Sequence, residues 1–208
     1  LVYFKYICAR ATPMQSIAIN KLEEAQKSGI SILDCRPTND FASSHVPNSI
    51  SASINGSYEY MATCLFDKKS PLIVIAESGR KSEAILRLDM GGFTNLSFFD
   101  FEKWQSFDKP TSSIARYPAK DASDYIGRMK DVNNTEDWKV IHVKGVSSTP
   151  LLDIVENPDL ISEGDVLYCA HGHKSMAASS FMAIRGVNVS DITGGLSAML
   201  VDAPDLEI

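Results

Sequence analysis

Two stretches of this chain share one form: Ala76-Glu77-Ser78-Gly79-Arg80-Lys81-Ser82 and Cys169-Ala170-His171-Gly172-His173-Lys174-Ser175. Each follows a short apolar run, carries a glycine at the same offset and leads into a helix-forming segment. Gly91-Gly92-Phe93 and Arg185-Gly186-Val187 then stop those helices, and a short strand follows both, Asn95 to Phe99 and Val189 to Ile192. Self-similarity at a spacing of about 90 to 110 residues implies two copies of one unit rather than a solenoid. Strands alternate with helical stretches in each copy, so the expected class is α/β, with two mostly parallel sheets flanked by helices. The expected division is residues 1–110 and residues 111–208, joined through Lys109 to Ala119, where prolines, serines and a threonine break the periodicity.

In the first copy, residues 1–14 read as an irregular or extended lead-in and Ile17 to Ser28 as an amphipathic helix stopped by Gly29. Ile30 to Cys35 reads as a buried strand, Asp40-Phe41 as the start of a turn or short helix, and Ser44 to Ser49 as a loop into a strand at Ile50 to Ile54. Tyr58 to Leu65 suits a helix and Pro71 to Ala76 a buried parallel strand. In the second copy, Ala122 to Met129 reads as a helix, Asn133-Asn134 as a turn and Trp138 to Val143 as the strand matching Ile30 to Cys35. That alignment sets His142 against Asp34 and Lys144 against Arg36. It also makes the second copy the shorter, without a counterpart of the His45-Val46-Pro47 loop.

Cys169 ends the apolar strand Val166 to Tyr168, and an alanine-rich helix, Met176 to Ile184, follows the glycine-containing loop. A helix N-terminus presents unpaired N–H groups and a positive dipole end, which favour a thiolate. The loop amides are also suited to form an anion nest, with Lys174 and His171 or His173 adding charge. The competing reading is a small buried hydrophobe at a strand end.

Net charge is −6, so the field of the whole molecule disfavours nucleic acid. The four cysteines, Cys8, Cys35, Cys64 and Cys169, show neither CxxC nor zinc spacing, which argues against a disulfide scaffold and a structural metal and suits a reducing cytoplasm. His171 and His173, two apart on a tight loop, make a poor zinc pair. No metal or cofactor is expected. The apolar start, interrupted by Lys5, is too short to span a bilayer and lacks a signal-peptide pattern, so no membrane association is expected.

In combination these motifs resemble the rhodanese family. LDCR at Leu33 to Arg36, Phe41 and Ser44-His45-Val46-Pro47-Asn48-Ser49 are similar to that family's LDVR, EF and GHIPGA pattern. Cys169 to Ser175 and Gly194-Gly195-Leu196-Ser197-Ala198 are similar to its CxxGxRS and GGxxAW. The resemblance covers roughly residues 16–200. The first copy looks most like the pseudo-rhodanese that follows a metallo-β-lactamase domain in persulfide dioxygenase fusions, and Tyr3-Phe4 and Asn20 suit the end of such a fusion. No HxHxDH motif is present in this sequence.

The resemblance implies a sulfurtransferase in which Cys169 carries sulfane sulfur as a persulfide, taken from thiosulfate or a low-molecular-weight persulfide and passed to a thiol or cyanide. Ala170, His171, Gly172, His173, Lys174 and Ser175 would bind that substrate, a small sulfur-containing anion or thiol persulfide. Six residues from Cys169 through Lys174 match the loop length the family uses for sulfur rather than for phosphate or arsenate. Ala76 removes the nucleophile from the first copy. The departures at His142, Lys144 and Lys174, with the lost loop, support a different reading: a degenerate pair that serves as an interaction or regulatory module for a metallo-β-lactamase-type partner domain. Asp34 and Arg36 are expected to hold loops by an ion pair, and His45 to fix its own loop. Glu77 and Arg80 are candidates for anion binding without chemistry. Cys35, Cys64, Trp104 and Trp138 are expected in packing roles.

Overall fold

The computed structural model describes residues 16–208. The expected lead-in at residues 1–14, and Cys8 with it, lies outside the described residues. The first half contains α1 (Ile19–Lys27), β1 (Ser31–Asp34), α2 (Thr38–Ser43), β2 (Ser49–Ser51), α3 (Tyr58–Leu65), β3 (Leu72–Ala76), α4 (Lys81–Met90), β4 (Leu96–Asp100) and α5 (Phe101–Ser106). The second contains β5 (Arg116–Tyr117), a 3-10 segment at Ala119–Arg128, β6 (Met129–Asp131), α6 (Thr135–Val140), α7 (Leu151–Glu156), β7 (Val166–Tyr168), α8 (His173–Ala183), β8 (Ser190–Ile192) and α9 (Gly195–Asp202).

Two four-stranded sheets result, in the orders β2-β1-β3-β4 and β5-β8-β7-β6, and every pairing is parallel. The sheets share one plan. A parallel bridge from Ser16 to Phe98 flanks β4 as β5 flanks β8, and a bridge from Ser148 to Asp131 stands where β2 flanks β1. β3, at the centre of its sheet, is apolar and buried along its whole length, as a parallel strand covered on both faces must be. α1 ends in a left-handed turn at Gly29, φ +71°, with Ile30 N–H donating to Ala25 O at 3.0 Å, the closing bond that glycine permits.

One apolar core spans both halves: Leu33, Val74 and Phe98 of the first join Val132, Leu167, Ala177 and Phe181 of the second. α8 lies within it, buried continuously from Ser175 to Met182, and its run of alanines and serines lets neighbouring backbones approach. There Ser51 N–H donates to Ser180 Oγ at 2.9 Å across the two halves. Trp104 packs in a core of the first half with Phe99.

Trp138 to Val143 does not form the expected strand. Thr135–Val140 is helical, with Glu136 and Asp137 at its positive end, and the strand that pairs with β7 is the three-residue β6. The equivalent of Asp34 is therefore Asp131, and that of Arg36 is Asn133: Asn133 N–H donates to Asp131 Oδ1 at 2.8 Å as Arg36 N–H donates to Asp34 Oδ1 at 3.0 Å. His142 is the counterpart of His45. Each ring donates from Nδ1 to a carbonyl one turn back, His142 to Trp138 and His45 to Phe41, both at 2.8 Å. Each stacks on that same aromatic residue, at 4.1 Å and 3.9 Å. Gly145 at φ +82° repeats Asn48 at φ +65°, so the second half has a counterpart of the His45-Val46-Pro47 loop, which the sequence reading did not expect. The segment read as a linker contains β5, and the helix read at Ala122 to Met129 is a 3-10 segment followed by β6.

Burial holds the His45 imidazole below the ordinary histidine range, against the bond to Phe41. Its folded pKa thus lies below its unfolded one. As pH falls through about 6.5 the unfolded chain gains a proton that the folded chain refuses, and stability declines. Urea midpoints measured near neutrality and about two units lower should show this loss in the wild type and a smaller one in His45→Gln. Equal losses in both chains would refute the assignment.

Candidate active site

β7 delivers Cys169 to the end of the second sheet, and the chain then turns sharply into α8. The turn depends on Gly172, whose φ of +83° is left-handed and costs a residue with Cβ about 1 kcal/mol or more. With that turn, Gly172 N–H points back at Cys169 Sγ, 3.2 Å away. The matching loop of the first half lacks it: Gly79 is not among the glycines of positive φ, and Ser78–Arg80 makes a 3-10 turn closed by Arg80 N–H on Glu77 O. Ala76 stands at the cysteine position there, and Arg80 pairs with Glu83 and bonds Asn55, which engages the charge expected for anion binding.

α9 clamps the backbone of the loop. Leu196 N–H donates to Cys169 O at 2.8 Å and Ser197 N–H to Ala170 O at 2.9 Å. Gly194 and Gly195 both have positive φ, and a Cβ on Gly195 would sit 2.0 Å from Cys169 O. The glycine pair therefore lets α9 start directly against the peptide of Cys169.

Of the expected substrate-binding residues, Gly172 and Ser175 face the sulfur, with Ser175 Oγ 3.7 Å from Sγ. The others are engaged elsewhere. Ala170 N–H donates to Asn133 Oδ1, and His171 Nδ1 pairs with Ser197 Oγ at 2.8 Å. Lys174 lies 3.6 Å from Asp137 and over the ring of Tyr60 on α3. His173 packs against Gly56 of the first half; burial, then His171 and Arg116, hold its imidazole below the ordinary range.

Cys169 is only 2% exposed, the burial that the competing reading of a small hydrophobe at a strand end expects. The loop folds over its own cysteine, and α9 closes on the same peptide. Cys35 is also buried, and burial pushes its thiol well above the ordinary range, as suits a packing residue. Burial likewise raises Cys64. Trp138 is half-buried and donates to Val146 O.

Two charged residues of the site were not legible from motifs. Asp191 on β8 is fully buried and accepts a hydrogen bond from Ser175 Oγ at 3.1 Å. Arg116 on β5 grips both oxygens of Asp191 at 2.8 Å, and its Nη2 lies 3.0 Å from where a Cβ on Gly172 would sit. Burial pushes the Asp191 carboxyl up, opposed by Arg116 and Ser175. The signal for Asp191 was an acid within the short strand expected at Val189 to Ile192. Arg116 had none, lying in a proline- and serine-rich stretch.

Among the described residues no helix is long and apolar enough to cross a membrane. None of the curated proteins matches the chain. Among solved structures, a rhodanese-related protein from Thermoplasma volcanium is 22% identical over 41% of this chain and 90% of that one, with a TM-score of 0.38. The rhodanese-like domain of an Anabaena sp. protein is 21% identical over 48% of this chain and 79% of its own, at 0.43. A thiosulfate sulfurtransferase from Pseudomonas aeruginosa is 16% identical over 89% of this chain and 46% of its own, at 0.38. Residues 18–106 match the family model described as Rhodanese-like domain, the part of the chain that holds the four parallel strands β1 to β4.

Proposed function

We propose that the chain is a rhodanese-like sulfurtransferase made of two such units, residues 1–110 without a nucleophile and residues 111–208 with Cys169 as the sulfur carrier. The observation that carries this reading is the aim of Gly172 N–H at Cys169 Sγ, 3.2 Å away, in a loop whose left-handed turn the cysteine-free copy lacks. A backbone donor placed on sulfur stabilises negative charge there both when the thiolate forms and when it leaves. In the proposed cycle the Cys169 thiolate attacks the outer sulfur of thiosulfate or a low-molecular-weight persulfide. A new S–S bond forms, the donor's S–S bond breaks, and sulfite or the thiolate departs with the electron pair. A thiolate or cyanide then attacks the outer sulfur of Cys169-S-SH and releases the Cys169 thiolate. A reducing cytoplasm is the compartment in which such a carrier cysteine stays free.

Incubation with thiosulfate or glutathione persulfide, followed by intact-mass measurement, tests this. The expected result is a gain of one sulfur atom that is absent from Cys169→Ala. The burial of Cys169 and the engagement of Lys174 with Asp137 favour a second reading, an interaction module for a metallo-β-lactamase-type partner domain. Absence of the adduct with both donors would leave that reading in place of the first.

A further inference from the structure

A chain of polar groups, buried at Ser175 and Asp191, runs from the sulfur of Cys169 to the opposite half of the molecule. Ser175 is fully buried, and its hydroxyl has one hydrogen to give. That hydrogen goes to Asp191 Oδ2 at 3.1 Å, so Ser175 turns its oxygen toward Cys169 Sγ, 3.7 Å away. Arg116 holds Asp191 through Nε and Nη2, a two-point grip that fixes the carboxylate's plane. Its remaining nitrogen, Nη1, reaches α2 of the first half, at Thr38 Oγ1 (3.3 Å) and Asn39 Oδ1.

The other titratable groups around Cys169 have different neighbours. Asp131 on β6 accepts from Asn133 N–H. On the loop and α8, His171 pairs with Ser197, Lys174 with Asp137, and His173 lies against Gly56. α2 contributes the uncharged Thr38 and Asn39. Among the described hydrogen bonds, the chain through Ser175 alone links Cys169 sulfur to a charged side chain.

We propose that Asp191 is a positioning residue that holds Cys169 in its thiol form by capturing the hydrogen of Ser175, while Arg116 fixes the carboxylate and ties it to the nucleophile-free half. The thiol S–H donates to the Ser175 oxygen presented to it, whereas a thiolate needs a donor at that place. A carboxylate one hydroxyl away also disfavours a second negative charge. Ionisation for attack then requires the hydrogen of Ser175 to swing from Asp191 to sulfur. The inference deepens the sulfur-carrier reading of Cys169 and rests on it.

The test is a pH titration of the Cys169 thiolate in the whole chain, followed by ultraviolet thiolate absorbance with Cys169→Ala subtracted. Asp191→Asn removes the negative charge behind Ser175 and weakens its hold on that hydrogen, so the midpoint should fall by about one unit, a tenfold gain in thiolate at pH values below it. In a Ser175→Ala background the same substitution should give less than about half that fall, the non-additivity of groups acting in series. If Asp191→Asn does not fold, Arg116→Met with Asp191→Val removes the whole buried pair and should lower the midpoint likewise. A midpoint that stays or rises in the folded variant overturns the proposal, even where Cys169 loads sulfur. A falling midpoint without sulfur loading supports it and removes the sulfur-transfer reading alone.

Discussion

Gly195→Ala should disable sulfur loading while leaving Cys169 in the sequence. At φ +61° the residue occupies the left-handed region, and its Cβ would stand 2.0 Å from Cys169 O and 2.9 Å from Gly172 N. Both are backbone atoms, so no rotamer change relieves the overlap. The loop must move, and with it the N–H that Gly172 aims at sulfur. The expected cost is about 3 to 5 kcal/mol from backbone strain and overpacking together. A shift of about 1 Å at a reacting group costs about 100-fold in rate, so the sulfur adduct should form at least that much more slowly in the protein that remains folded. Gly79→Ala is the control: its Cβ would meet nothing within 4 Å, and the change should lie within about 0.5 kcal/mol of neutral. Urea unfolding and the time course of the mass adduct measure both quantities. Wild-type loading by Gly195→Ala would show that the close approach of α9 does not position Cys169.

The legible and illegible parts of this chain divide along physical lines. Long-range similarity between the two loops was visible because a strand, a glycine turn and a helix leave a pattern several residues long, and β3 and β7, with the helices that follow them, are where it places them. β6 left almost no pattern. It is three residues, Met129, Lys130 and Asp131, with a charge in the middle, and the apolar run at Trp138 to Val143 outweighed it. Once that strand was misplaced, every register-dependent match in the second half slipped with it, including the pairing of His142 with Asp34. Gly145, in the same left-handed turn as Asn48, marks the correct register. At the site, the identity of Cys169 and its loop followed from local sequence. Its burial, the capture of Lys174 by Asp137 and Tyr60, and the Arg116–Asp191 pair did not, because each depends on segments that meet only in three dimensions.

Arg36→Met should cost about 3 to 5 kcal/mol, the penalty for leaving a buried carboxylate without its cation. Asp34 is fully buried and is held by Arg36 through Nε at 3.0 Å and Nη2 at 2.7 Å. The guanidinium also donates to Ser44 O at 2.8 Å and lies 3.5 Å over the ring of Phe101, so it ties β1, α5 and the loop after α2 together. The second half shows what happens where the arginine is absent. Asn133 replaces it, Asp131 accepts the backbone bond from Asn133 N–H but has no cation paired with it among the described residues, and burial pushes the Asp131 carboxyl up. Removing charge from both partners should therefore be far milder than removing it from one. Asp34→Leu with Arg36→Met should recover most of the loss, since apolar replacement of a buried pair is often close to neutral. Urea midpoints of the two single variants and the double variant measure the coupling. The pair lies in the half whose cysteine position is Ala76, so sulfur loading on Cys169, counted per folded molecule, should stay at the wild-type level in the double variant. A loading defect there would place Arg36 in the chemistry, and additive losses would remove the ion pair as the reason these two residues occur together.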